Sequence, residues 1–256
     1  MNKVLLIICL TILLFLIWWV QKKKKIIAGP IPEQFKIILF ENVPFYQQLN
    51  DIRKNEFEER LQQFLTQVKI TGIKTEVEDI DRVFIAASAV IPIFNFTGWE
   101  YVNLKEVLLY PSSFDFDFNQ EGSNRSVLGM VGDGPLNNLM ILSRKEIRQA
   151  FKNETGVTNT AIHEFVHLVD KTDGAIDGVP NFLLEQQYIL PWLQLMHHEI
   201  KRIQENQSDI NPYATTDEAE FFAVVSEYFF ERPDLLQQNH PELFDMLVKI
   251  FRPADR

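Results

Sequence analysis

The residues with the clearest capacity for chemistry are His163-Glu164-Phe165-Val166-His167. On a helix the two histidines, four residues apart, stand one turn above the other, so both imidazoles can reach a single metal ion. Glu164 lies beside them, placed to take a proton from a water whose pKa a zinc ion lowers to about 7. Phe165 and Val166 supply the apolar side that seats such a helix in a core. The competing reading is an amphipathic helix with two incidental histidines.

A catalytic zinc needs a third protein ligand and an open fourth position. Asp173 follows His167 by six residues, but the position where a glycine would turn the chain is Asp170, so the helix is expected to carry Asp173 away. His197 and His198 are adjacent on a long charged helix, where solvated histidines are the plainer reading. Glu220 is the best placed of the three. It lies one turn into a helix, beside Phe221-Phe222-Ala223-Val224-Val225, and a carboxylate facing inward there must be paired or metal-bound. The alternative is a surface glutamate in a first helical turn, which the helix dipole also favours.

The elements that would position these groups follow from the pattern around them. A helix carries His163 to Asp170 and stops in Asp173-Gly174 to Asp177-Gly178-Val179-Pro180. A long helix is expected from about Phe182 to Asn206, bent at Pro191. Thr215 and Glu218 fit a capping box that opens a helix running through Phe230 to Pro233, and a last helix fills Pro241 to Phe251. Upstream, Phe57, Leu61, Phe64, Leu65 and Val68 mark one helix face. Val83 to Phe94 is apolar and reads as either helix or strand. Val107 to Tyr110, Val127 to Val131 and Leu139 to Ser143 read as strands, the last two joined through Gly132-Asp133-Gly134-Pro135. Phe114 to Val127 reads as a solvated loop. The expectation is an α+β body, helix-rich with a small mixed sheet.

The chain has 256 residues, 46% hydrophobic and 23% charged, enough for one large or two small packed domains. Its net charge is −10, but five of the 25 basic residues (Lys3 and Lys22 to Lys25) sit in the first 25 positions, leaving 20 against 35 acidic residues, a net of −15. A body that acidic repels phosphates, so nucleic acid is excluded as a partner. The single cysteine, Cys9, precludes a disulfide framework. Val4 to Val20 is apolar except for Thr11 and would span roughly 26 Å as a helix, close to a bilayer core. Trp18, Trp19 and the four lysines after them suit an interface and a basic stop. The expectation is a single-pass anchor in the lipid bilayer through residues 4–20, as in a bacterial inner membrane, with the body on the cytoplasmic side. Residues 1–25 would be anchor and stop, 26–43 a linker around Gly29-Pro30-Ile31-Pro32, and 44–256 the folded domain.

His163 to Asp170 followed by Asp173-Gly174-Ala175-Ile176-Asp177-Gly178-Val179-Pro180 resembles the signature of the Mlc titration factor A family of zinc peptidases. Tyr213-Ala214-Thr215-Thr216, Glu220-Phe221-Phe222-Ala223 and Ser226-Glu227-Tyr228-Phe229-Phe230 resemble its second block. Echoes at Ile85-Ala86-Ala87, Tyr110-Pro111-Ser112-Ser113-Phe114, Gly134-Pro135 and Ile141-Leu142-Ser143 extend the likeness from about Pro44 to about Phe251. The resemblance implies a zincin-like fold related to the anthrax lethal factor catalytic domain. It implies zinc on His163, His167 and Glu220, Glu164 as general base, and Tyr213 as donor to the oxyanion. Asp170 and Asp177 would then steady the histidines or the turn, or simply end the helix and shape the turn. The expected activity is hydrolysis of a peptide or protein substrate, with Leu139 to Ser143 one strand that could hold an extended chain. The rival expectation is a membrane-tethered binding or regulatory protein with a structural or vestigial metal site, since the family's namesake binds a transcriptional repressor. A purely structural zinc has no use for Glu164 and usually takes four protein ligands.

Overall fold

The computed structural model describes residues 29–113, 129–131, 138–152 and 156–252. Helix α1 (Glu33–Asn42) and the single turn α2 (Pro44–Gln47) lead into α3 (Asp51–Gln67). Asn50 opens α3, its side chain accepting the Arg53 N–H at 2.9 Å, and Phe57, Leu61 and Phe64 form the buried stripe the spacing predicts. Strand β1 (Lys69–Gly72), helix α4 (Asp79–Ile93), strands β2 (Glu106–Tyr110), β3 (Gly129–Val131) and β4 (Leu139–Ser143), and helix α5 (Arg144–Ala150) follow. The ambiguous stretch Val83 to Phe94 is helix. A reciprocal cap between Glu78 and Asp81 starts it, and every residue from Val83 to Ile93 is buried, so no polar face exists from which a period could be read.

The four strands run in the order β1-β2-β4-β3, with β1, β2 and β4 parallel and β3 antiparallel to β4. The sheet is small and mixed, and the body is helix-rich α+β, as expected. Strand β1 is too short and too polar to stand out in the sequence. Strand β4 is paired on both sides, so its main chain is not free to hold a substrate, and among the described residues β3 is an outer strand instead.

Helix α6 (Thr160–Asp170), a 3₁₀ turn (Lys171–Asp173), α7 (Gln186–Gln204), a second 3₁₀ turn (Pro212–Thr215), α8 (Glu218–Glu231), α9 (Pro233–Asn239) and α10 (Pro241–Phe251) complete the described chain. The cap of α8 is Asp217, which accepts the Glu220 N–H at 2.8 Å, rather than Thr215, which belongs to the preceding 3₁₀ turn. Helices α6 and α8 lie side by side at the centre. Phe165 of α6 packs on Phe64 and Tyr101, with ring centroids 5.6 and 5.1 Å away, while Phe221 and Phe222 of α8 pack on Trp192.

Two expectations change. Over its described part, the expected linker (26–43) is mostly helix α1, whose Phe35 and Leu39 are buried in the core together with Ile31 and Val43. The single-pass membrane location is corrected: among the described residues no helix is long and apolar enough to cross a membrane. The longest, α7, has 19 residues and carries His197, His198, Glu199, Lys201 and Arg202, as helices do that bury one face and solvate the other. The run Val4 to Val20, on which the anchor and its orientation rested, lies outside the described residues, as does the loop Phe114 to Val127.

Candidate metal centre

Helix α6 is built to hold two histidines at a cleft. Asn159 caps it, accepting the Ile162 N–H at 3.2 Å, and Ala161, Ile162, Phe165, Val166 and Val169 are buried in the core. After Asp170 the chain tightens into the 3₁₀ turn and ends at Gly174, whose φ of 99° is the left-handed conformation that favours glycine. Gly178 then lets the turn touch α8. Its φ is 73°, its N–H donates to Asp170 Oδ2 at 2.8 Å, and its carbonyl accepts from the Trp192 indole at 2.7 Å. A Cβ there would lie 2.2 Å from the Glu218 carbonyl oxygen, so only glycine fits.

That contact sets the first turn of α8 against α6 and brings Glu220 to the histidines. Glu220 Oε2 is 2.9 Å from His163 Nε2 and 3.6 Å from His167 Nε2, and the two Nε2 atoms are 3.1 Å apart. Glu164, next along the helix, is buried at the same cleft and lies against Gly129 of β3. Tyr213, on the 3₁₀ turn before α8, places its ring centroid 6.1 Å from that of His163 while remaining 52% exposed. All five sequence-predicted site residues line one cleft of about 1070 Å³.

The electrostatics of this cluster favour a cation. Burial alone would keep His163 neutral, but hydrogen bonds to Glu220 and Glu227 outweigh it and push its pKa well up. Burial likewise opposes the charge on Glu220, yet the two histidines hold it well below the usual carboxylate range. Glu164 is pushed up by burial, against the pull of His163 and His167. Tyr213 is pushed up to about 12 by burial and the nearby Glu220 charge, so its hydroxyl keeps its proton at neutral pH and can donate. Two imidazole nitrogens and a carboxylate oxygen are a donor set suited to zinc. Ligand atoms held about 2.0–2.2 Å from one tetrahedral ion stand roughly 3.3 Å from each other, and the observed 2.9, 3.1 and 3.6 Å bracket that spacing.

The sequence pattern of the family described as glucose-regulated metallo-peptidase M90 matches residues 17–252. The chain belongs to this family. An uncharacterized protein of Synechocystis sp. is 30% identical over 242 residues, covering 89% of this chain and 86% of its own length. Mlc titration factor A of Pectobacterium atrosepticum is 28% identical, covering 82% and 83%, and that of Salmonella gallinarum is 30% identical, covering 76% and 78%. The family likeness to Mlc titration factor A read from the motifs is thus sound, and the body is a metallopeptidase-like domain. Family membership implies a metal ion.

The rival third ligands stand elsewhere. Among the described residues, His163, His167 and Glu220 form the one group able to share a metal. Asp173 is occupied in its own turn, accepting the Ala175 N–H and the Asn181 side-chain amide. His197 and His198 are exposed on α7, His197 facing Glu218 at 3.6 Å. Asp170 anchors the turn through Gly178, as one reading of it anticipated, while its Oδ1 and His167 Nδ1 are both buried with no hydrogen-bond partner among the described residues. Two positions at the cleft escaped the sequence reading. Glu227 contacts His163 directly, and its signal was a third stripe position, seven residues after Glu220 inside an apolar run. Gly129 gave no signal at all, because its partner Glu164 is distant in sequence.

Proposed function

We infer that this chain is a zinc-dependent metallopeptidase in which His163, His167 and Glu220 hold the ion and Glu164 is the general base. The observation that carries this reading is the convergence of three ligand atoms within 3.6 Å beside a buried glutamate that is not one of them. Three protein ligands leave a position open, as catalytic zinc sites do and structural ones do not. When bound, zinc supplies Lewis acidity, polarising a carbonyl and making a water acidic near neutral pH. The remaining work falls to side chains of this chain. Glu164, with its basicity raised by burial, accepts the proton of the attacking water and returns it to the leaving amine. Tyr213 keeps its proton and donates to the oxygen on which charge develops. The substrate, a peptide or protein chain, is held in extended form by main-chain pairing along β3, the strand that lines the cleft.

The test is zinc content by mass spectrometry on the full chain and on His163→Ala and Glu220→Ala, followed by cleavage of a peptide library. One zinc per chain, lost or weakened in both variants, is expected. Zinc untouched by Glu220→Ala would replace the third ligand. Glu164→Gln should keep its zinc and lose turnover by roughly 10²–10⁴-fold, the contribution of a general base. Cleavage at the wild-type rate by that variant would assign the base elsewhere.

A further inference from the structure

One stripe of α8 carries three carboxylates at positions 220, 227 and 231, spaced seven and then four residues apart, so all three face α6. Glu220 meets the histidines through Nε2 of each. Glu231 accepts from the Asn159 side-chain amide at 2.8 Å. Glu227, between them and 5% exposed, spends both oxygens on α6: Oε1 lies 2.7 Å from His163 Nδ1, and Oε2 accepts the Asn159 backbone N–H at 2.5 Å.

We propose that Glu227 is the positioning residue of this centre, fixing His163 as a metal ligand through its Nδ1 while locking the first turn of α6 through the Asn159 N–H. The argument is one of donors and acceptors. A carboxylate offers only acceptors, so His163 Nδ1 must carry the hydrogen, and a metal ion would replace the proton on the other nitrogen, Nε2, which faces His167 and Glu220. The second oxygen satisfies an N–H that has no partner inside the helix, because Asn159 is the cap. One buried group therefore sets both the tautomer of the ligand and the position of the helix that presents it. Histidine ligands held this way lose about 10–100-fold in metal affinity when the partner is removed. Isosteric glutamine cannot replace it fully. If its carbonyl accepts from His163, its amide N–H meets the Asn159 N–H, donor against donor.

This inference rests on the zinc reading above but not on peptidase activity. The experiment is zinc affinity by chelator competition on the full chain at pH 7.5, for wild type, Glu227→Ala, Glu227→Gln and the remote core variant Leu236→Val in α9. Thermal midpoints are taken in chelator, and the ¹⁵N signals of His163 are recorded in the zinc-loaded wild type. The expected result is a 10–100-fold loss for Glu227→Ala, a smaller loss for Glu227→Gln, and affinity within about threefold for Leu236→Val despite its lower midpoint. The His163 signals should show Nδ1 protonated and Nε2 on the metal, a readout that holds even if Glu227→Ala does not fold. Zinc bound by Glu227→Gln and Glu227→Ala as tightly as by wild type, or a metal on His163 Nδ1, would overturn the proposal while leaving the zinc site standing. A wild type that binds no zinc would overturn both.

Discussion

Substituting Gly129 by alanine should separate catalysis from metal binding at this site. Gly129 sits on β3 without a left-handed φ, so the backbone accepts alanine, and the whole effect comes from one added methyl. That carbon would stand 2.7 Å from both Cγ and Oε1 of Glu164 and 2.9 Å from Thr160 Cγ2. Carbon contacts settle at about 3.5–4.0 Å, so the Glu164 arm and the strand must part by roughly 1 Å. A misplacement of about 1 Å in a reacting group costs on the order of 10²-fold in rate, or about 2.7 kcal/mol of activation free energy. The three atoms nearest the methyl belong to Glu164 and Thr160 and none to His163, His167 or Glu220, so zinc content is expected to stay unchanged. The assay is kcat and KM on a peptide found in the library screen, beside zinc stoichiometry and the thermal midpoint. A fall of about 100-fold in kcat with zinc still at one per chain is expected. Wild-type kcat in zinc-loaded Gly129→Ala would refute the reasoning, showing that the strand yields and that this contact does not hold the base.

Tyr213→Phe removes a hydroxyl from a half-exposed ring and should leave folding and zinc intact, while kcat drops about 10²–10³-fold with little change in KM. A comparable rise in KM with kcat unchanged would make the tyrosine a substrate-binding group. A second buried polar network lies away from the cleft, and it predicts a pH effect on stability. His240 is 3.0 Å from Glu199 and 2.7 Å from Asp209, which in turn accept from Arg202 and Tyr228. Burial alone would lower the His240 pKa, but the two carboxylates raise it above its ordinary 6.5, and burial opposes while hydrogen bonds from His240 and its neighbours lower those of Glu199 and Asp209. The histidine's contribution is complete below pH about 6.5 and fades as pH rises through its raised pKa, while that of the acids is complete above about 4.5 and fades as pH falls. The gap in thermal midpoint between wild type and His240→Gln should therefore be widest between about pH 4.5 and 6.5 and narrow at higher pH. A gap independent of pH would mean that His240 is neutral in the folded chain.

The sequence by itself determined the local terms of this protein. His163 and His167 share a helix face because four residues is one turn, and Glu164 is adjacent by covalent connection. Gly174 and Pro233 stop helices by backbone geometry, and the stripes of α3 and α10 follow from a period of 3.6. Family blocks that pair Tyr213 and Glu220 with the histidines were likewise legible, since motif spacing survives where overall identity is low. What the sequence left open depended on contacts between distant segments. Whether Val83 to Phe94 was helix or strand could not be read, because complete burial in the tertiary fold erases polar periodicity. That Glu220, rather than Asp173 or His197, meets the histidines comes from the packing of α8 on α6, with the Gly178 turn seated against the start of α8. The roles of Glu227 and Gly129 arise from atoms 64 and 35 residues away from their partners His163 and Glu164, brought within hydrogen-bond or van der Waals distance by the fold. Residue type announces what a side chain can do, and only the three-dimensional arrangement decides which group it does it to, because burial and proximity are properties of the folded chain.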